Sequence, residues 1–350
     1  MRVLIVDDSP VLRMLLRSVF EDEGFEVREA DSGEQALRLL EGYRPDIITM
    51  DVHMPGMNGY ETTARILELY ALPVVVVTAS ANAYAAATAM HALEAGALAV
   101  LEKPQGPEAA NFKQLIGALV RTLRSMAQVK IVRRPRAVKT LTAAPLRAPL
   151  SSESPKLVAI AASAGGPVAL KALLSHLSAQ QPWPLLLAQH ISVGFLGSFR
   201  DWLASVCSLS VSIAEHGQLL QPGGLYLPPD GSHLGVSAEL RAQLQGSNGE
   251  LYCPSADHLF RNVAQRLGNQ AIGIQLSGMG RDGAEGLAEL HRCGALTIAQ
   301  EPTSALIDAM PRAAIKLQAA RQVLPPEAIA ALLNSIALRS LSRSTGSEGD

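Results

Sequence analysis

Short apolar runs alternate with amphipathic stretches along most of this chain. In the first third the runs fall at residues 3–6, 47–50, 73–77 and 97–101, with a weaker one at 25–29. Stretches with helical spacing lie between and after them, at 9–23, 32–41, 59–69, 84–94 and 107–125. Runs this short and this continuously apolar predict strands buried on both faces. The strand–helix units therefore predict a parallel sheet covered on either side. From residue 156 the rhythm returns, with strands expected at 157–162, 185–189, 211–214, 271–276 and 295–299. The helices that go with them are expected at 167–177, 196–206, 255–267, 283–292 and 310–318. A turn-rich interruption at 217–250 predicts hairpin strands at 224–227, 233–236 and 239–243. The expectation is an α/β chain of two doubly wound parallel-sheet domains, the second carrying an antiparallel insert.

Composition agrees and excludes other classes. The chain has 350 residues, 48% of them hydrophobic and 18% charged, which excludes a disordered polymer and fits about two domains. Three cysteines without a CxxC pair exclude a disulfide scaffold and a thiolate zinc site. The opening MRVLIVDDSP reaches acids after one short apolar run, unlike a signal peptide or anchor, and no later stretch is long enough to span a membrane. A cytoplasmic protein is expected.

The net charge of −2 is unevenly spread. Residues 1–123 carry an excess of seven acidic groups, residues 124–156 an excess of seven basic ones, and residues 157–350 an excess of two acidic groups. Residues 126–155 hold four prolines and no apolar period. A solvated connector explains this basic stretch better than nucleic-acid contact, because no aromatics interleave the charges. The boundaries read as a first domain over 1–123, a linker over 124–155, a second domain over 156–338 and a disordered polar tail over 339–350.

Polar residues collect at the strand ends. Asp7 and Asp8 close the first strand, Asp51 the third, Thr78 the fourth, and Lys103 the fifth. In a parallel sheet these ends share the rim where open α/β folds bind ligands. Capping of the next helix would account for one acid, but not for the set. Three carboxylates repel one another unless a cation is present, and hard oxygen ligands suit Mg²⁺. The chemistry that fits is phosphoryl transfer to Asp51, with Lys103 balancing charge and Thr78 offering a hydroxyl.

The second block carries a different set. Its first strand runs into Ser163, followed by Ala164, Gly165, Gly166 and Pro167. A serine before two glycines is on its own more often a helix cap, yet such a turn also aims free N–H groups at an oxyanion. The next strand delivers His190, and a later one opens through Met279, Gly280 and Arg281 into Asp282. Ser163, His190 and Asp282 thus share one rim as nucleophile, base and orienting carboxylate, a set defined by geometry and not by order. No histidine pair has a zinc-protease spacing, so no metal or other cofactor is expected for this chemistry.

The segments LIVDDSP, DVHMPGMNG, VVVVTAS and LEKP resemble the receiver domain of two-component response regulators, across residues 1 to about 123. The resemblance implies a flavodoxin-like fold with Asp51 as phospho-acceptor. It also implies Mg²⁺ held by Asp8, Asp51 and the His53 backbone carbonyl with Asp7 assisting, Thr78 and Lys103 as switch residues, and a cis Lys103–Pro104 bond. Val100 stands where such domains carry an aromatic switch residue, and His53 is uncommon two positions after the acceptor.

AIAASAGGP, LLLAQHI, YLPPDGSHL, PSADHLFRNVA, LSGMGRDGAEG and AMPRAAI are similar, in order and spacing, to the catalytic domain of the chemotaxis protein-glutamate methylesterase (CheB-type) family. This implies a Rossmann-like domain with Ser163, His190 and Asp282 as catalytic residues and the backbone N–H of Met279 as oxyanion donor. The implied activity is hydrolysis of γ-glutamyl methyl esters, and deamidation of specific glutamines, on the cytoplasmic helices of chemoreceptors. A chemosensory histidine kinase would be the phosphodonor, and the receiver would cover the active-site face until phosphorylated. Neither a nucleic acid nor insertion in the membrane is implied. Ala164 replaces a commoner threonine, and Asp308–Ala309 replaces a usual glycine. A non-flagellar chemosensory pathway, or a signalling adaptor with an inactive hydrolase domain, are alternative readings of the same segments.

Overall fold

The computed structural model describes residues 1–78, 90–132, 154–250 and 252–345. The chain divides into two units, Met1–Arg134 and Pro135–Asp350.

In the first unit the apolar runs become β1 (Arg2–Val6), β2 (Glu26–Ala30), β3 (Ile47–Met50), β4 (Val74–Thr78) and β5 (Ala99–Glu102). They form a parallel sheet in the order β2-β1-β3-β4-β5. The helices are α1 (Pro10–Asp22), α2 (Gly33–Leu40), α3 (Gly59–Tyr70) and α4 (Phe112–Met126). Ser9, Ser32 and Asn58 cap the first three by accepting the N–H of Leu12, Gln35 and Glu61, and Pro10 supplies the preset φ of a first helical turn. Strands β3 and β4 are buried throughout, as their unbroken apolar character requires. Ile5, Leu16, Phe20, Val75 and Leu123 pack together on one side of the sheet.

The second unit holds β6 (Leu157–Ala162), α5 (Gly166–Leu174), β7 (Leu185–Gln189), α6 (Leu196–Val206), β8 (Ser210–Ile213), β9 (Gly224–Leu227), β10 (Ser232–Val236) and β11 (Ala242–Gly246). It continues with α7 (Ala256–Leu267), β12 (Ala271–Gln275), α8 (Ala284–Arg292), β13 (Leu296–Gln300), α9 (Ala309–Lys316), β14 (Gln322–Leu324) and α10 (Pro326–Thr345). Seven strands make a parallel sheet in the order β14-β13-β12-β6-β7-β9-β8, and β10 and β11 form an antiparallel hairpin beside it. The chain winds one way from β6 through β7 and the other way from β12 to β14. The topological switch therefore lies between β6 and β12, where such sheets open a crevice at their carboxyl ends.

Several expectations change. Residues 224–227, expected in the hairpin, are strand β9 of the main sheet between β7 and β8. All four are buried, so they behave as a two-sided core strand. The last hairpin strand is β11, which starts at Ala242, three residues later than the expected 239. The turn before it passes through Leu240 at φ 58. The expected segments include neither the edge strand β14, whose three residues are too few for a periodic signal, nor helix α10. Asn334 ties α10 to the end of α5 by accepting the Ser178 N–H and donating to the His176 carbonyl.

Helix α10 continues to Thr345, inside the tail expected to be disordered from 339, because Ile329, Leu333 and Ile336 on its earlier turns are anchored in the core. Helix α4 likewise runs on to Met126, past 123. The expected cis bond at Lys103–Pro104 is trans, and the cis X–Pro bond among the described residues is Cys253–Pro254. Most of the expected 84–94 helix and of the linker lies outside the described residues, although residues 90–94 are helical.

Candidate active site

The carboxyl ends of β6, β7 and β12 bring Ser163, His190 and Asp282 together from positions up to 119 residues apart. His190 Nδ1 lies 3.1 Å from Ser163 Oγ, and His190 Nε2 lies 2.9 Å from Asp282 Oδ2. Asp282 accepts only, so Nε2 carries the proton and the lone pair on Nδ1 faces the serine hydroxyl. Ser163 and Asp282 are buried, and the His190 side chain keeps 15% of its surface open to solvent. Backbone bonds hold the loops in place: Ser163 N–H donates to the Ser277 carbonyl at 3.0 Å, and His190 N–H to the Ala162 carbonyl at 3.1 Å.

Asp282 sits on the N-terminus of α7. Its Oδ2 accepts the Ala256 N–H at 2.7 Å, and its Oδ1 accepts the Asp257 N–H and the Ser255 hydroxyl, each at 3.0 Å. These are donors that a first helical turn leaves without intrahelical partners. Burial pushes the Asp282 carboxyl up. The hydrogen bonds from His190, Ala256 and Asp257, with the charge on His190, outweigh it and hold the carboxyl below its usual value. Tyr252 lies flat against the imidazole, with ring centroids 4.7 Å apart and planes 2° from parallel. Neither Ser255 nor Tyr252 was among the candidate residues. For Ser255 a signal existed, since it stands at the start of the expected helix 255–267.

A shallow cleft lies beside His190, lined by Gln189, Ile191, Val193, Phe199, Pro228 and Asp230 among others. Met279, half-buried, follows Gly278 at the switch-point crevice.

The first unit gathers the other set. Carboxylate oxygens of Asp7, Asp8 and Asp51 lie within 4.8 Å of one another. Lys103 Nζ is 2.8 Å from both Asp7 and Asp51. Burial pulls the Lys103 ammonium down, but its hydrogen bonds to Asp51 and Asp7 and their charges prevail and raise it, so the cation is secure. Burial is also the main reason the Asp7 carboxyl is raised, aided by the neighbouring Asp51 charge and opposed by Lys103. Asp51 Oδ1 accepts the Val52 N–H at 2.7 Å. The Thr78 hydroxyl is buried and has no hydrogen-bond partner among the described residues, and His53 is exposed. An excess of hard carboxylate oxygens over nearby cationic charge fits a divalent cation such as Mg²⁺. Val100, at the position of the usual aromatic switch, is buried.

No described helix is long and apolar enough to cross a membrane.

Comparison with known proteins places both units. The family described as CheB methylesterase matches residues 158–333, and the response regulator receiver domain family matches residues 3–112. A protein-glutamate methylesterase/protein-glutamine glutaminase of Hahella chejuensis is 49% identical, over 97% of this chain and 99% of its own. One from Anaeromyxobacter dehalogenans is 44% identical, over 94% of this chain and 97% of its own. The crystal structure of the Thermotoga maritima CheB methylesterase catalytic domain superposes on 53% of this chain and all of its own, with a TM-score of 0.50 and 29% identity.

Proposed function

The chain belongs to the CheB-type protein-glutamate methylesterase/glutaminase family, with an N-terminal receiver and a C-terminal methylesterase domain, and from this premise we propose how its residues divide the work. Ser163, His190 and Asp282 hydrolyse γ-glutamyl methyl esters on chemoreceptors to glutamate and methanol. They also deamidate particular glutamines there, releasing ammonia. The observation that carries this reading is the continuous hydrogen-bonded line from the Ser163 hydroxyl through His190 to Asp282. The same line speaks against an adaptor with an inactive hydrolase domain.

In the first step Ser163 Oγ attacks the ester carbonyl while Nδ1 of His190 takes its proton. The imidazolium that forms keeps its Nε2–H on Asp282, which stays ionised and stabilises that charge. The tetrahedral oxyanion falls to the Met279 N–H, following the family resemblance. Collapse breaks the C–O bond, and His190 returns the proton to the leaving methanol. Water, deprotonated by the same nitrogen, then hydrolyses the acyl-serine and restores the enzyme. No metal or other cofactor takes part in this half of the chain.

The receiver half accepts a phosphoryl group on Asp51 from a chemosensory histidine kinase. Asp7, Asp8 and Asp51, with the His53 carbonyl, would hold Mg²⁺, which when bound neutralises charge on the transferring group. Lys103 supplies the fixed cation, and the buried Thr78 hydroxyl is the donor for the new phosphoryl oxygens. Phosphorylation replaces the single carboxylate charge of Asp51 with a phosphoryl group carrying about −1.5 to −2 and relieves the restraint of the esterase. The receiver covers 1–123 with its last helix running on to Met126, the linker fills the stretch up to 155, and the catalytic domain covers 156–338 with α10 continuing to Thr345. The enzyme acts in the cytoplasm on the inner helices of its receptors.

The test is methanol release from methylated chemoreceptor fragments. The wild-type chain releases methanol, faster after treatment with a small phosphodonor, and Ser163→Ala does not. Undiminished release by Ser163→Ala would overturn the assignment.

A further inference from the structure

Strands β7 and β12 each end in a buried glutamine, and both side chains serve the catalytic residues. Gln189, 5% exposed, donates from Nε2 to the Ser163 carbonyl at 3.0 Å and to the His190 carbonyl at 2.8 Å. Gln275, fully buried, donates from Nε2 to the Asp282 carbonyl at 3.0 Å. All three catalytic residues thus have their own backbone carbonyl held by a side-chain amide from a strand end. Of the two ends of each amide only the NH₂ can do this, because each target is an acceptor. That also settles which way each amide points.

The opposite ends of the two amides show the same arrangement. Oε1 of Gln189 and Oε1 of Gln275 are buried without a hydrogen-bond partner among the described residues. Each lies over a glycine at a helix start, Gly166 or Gly283, where an added Cβ would come within 2.4 Å of it. A buried carbonyl oxygen without a partner is destabilising. Two such oxygens, accepted at equivalent places, are not explained by packing alone, since a methionine would fill the space without that loss. What each glutamine contributes beyond volume is its NH₂ donor group.

We propose that Gln189 and Gln275 are positioning residues for ester hydrolysis, Gln189 locking the nucleophile and base loops together and Gln275 locking the carboxylate loop. The proposal rests on the triad assignment above. Gln189 bridges Ser163 and His190 directly, so it sets the Oγ to Nδ1 separation through the backbone. Gln275 sets the height of Asp282 against Nε2. Both side chains spend their donors on backbone carbonyls, so both act on alignment. A small misplacement of reacting groups is enough to lower a rate by one to two orders of magnitude.

The test uses the full-length chain with Gln189→Met and Gln275→Met, each close to glutamine in size but without donors. Readouts are kcat and KM for methanol release, the pH–rate profile, the rate of labelling by a fluorophosphonate serine probe, and the unfolding temperature. The expected result for Gln189→Met is a kcat about 10- to 100-fold lower with KM unchanged and slower serine labelling. Gln275→Met should loosen the Asp282 support of the imidazolium. The acid limb of its profile then moves to lower pH, a change that a loss of folded protein cannot produce. Wild-type kcat and pH profile in both variants would overturn the proposal, as would a lower kcat that tracks only the unfolded fraction. Failure of the triad reading is distinguishable, because Ser163→Ala would then still release methanol and still take the probe.

Discussion

His190 presents Nδ1, 3.1 Å away, to the hydroxyl of Ser163, and keeps Nε2 for Asp282. The nitrogen nearer the backbone is therefore the base, and the ring tip lies against the N-terminus of α7 through Asp282. This arrangement makes the carboxylate both an orienting group and a helix-end ligand, and the first expectation follows from it.

Asp282→Asn leaves an amide where an ionised acceptor is needed by three backbone and side-chain donors as well as by His190. The imidazolium loses its counter-charge, and kcat for methanol release should fall about 10³- to 10⁴-fold. A loss below tenfold would show that the carboxylate contributes little.

The same group governs an acid-stability effect. Its carboxyl lies below the usual carboxylate value in the folded protein. A group with a depressed folded pKa stabilises the fold above its unfolded value, about 3.9, and that contribution disappears as pH falls through the folded value. The advantage of wild type over Asp282→Asn in urea midpoint should be constant from about pH 6 to about pH 8, and should shrink below about pH 4. A gap that stays undiminished in acid would contradict this.

Ser255→Ala removes a donor to Asp282 and, with it, the hydroxyl that caps α7 by accepting the His258 N–H. Stability should drop by about 1 kcal/mol, as for loss of an N-cap. Activity should fall less than in Asp282→Asn, because two backbone donors remain on the carboxylate. Thermal unfolding and methanol release together separate the two effects.

Gly278 is confined by its neighbours. A Cβ there would stand 2.0 Å from Met310 Sδ and 2.8 Å from Ser163 Cβ. Gly278→Ala should destabilise by about 1–3 kcal/mol and displace the nucleophile. Adding Met310→Ala should recover part of the stability but little of the activity, since the clash with Ser163 remains. Calorimetry and serine-probe labelling provide the two readouts.

In the receiver, Lys103→Met removes the cation that Asp7 and Asp51 share. Phosphate incorporation from a small phosphodonor should fall at least about tenfold, as it should when wild type is treated with a chelator. Asp51→Asn should abolish incorporation. Intact-mass measurement after phosphodonor treatment checks all three.

Much of this architecture is legible in the linear pattern because burial writes it locally. A strand covered on both faces must be apolar throughout, as at Val74–Thr78 and Leu157–Ala162, and a helix with one covered face must repeat with helical spacing. The chemistry-bearing residues are legible for a related reason: in parallel sheets they stand where a strand stops, so Asp51, Lys103, Ser163 and His190 are marked by their position after an apolar run. That signal failed for β14, whose three residues are too short to show a period, and for β9 it marked the strand but not its sheet, because the apolar run sat among turns.

Other features depend on contacts that no local pattern contains. The order of strands brings Asp282 beside His190, 92 residues away, and that order arises from how whole faces pack. Which imidazole nitrogen meets the serine depends on where the ring is held between Tyr252 and Asp282. The work of Ser255, Gln189 and Gln275 is likewise invisible along the chain, because a buried amide or hydroxyl has meaning only through the carbonyl or carboxylate that folding sets opposite it. Residue type and spacing thus establish the two layered domains and the reacting groups, and tertiary packing decides their alignment.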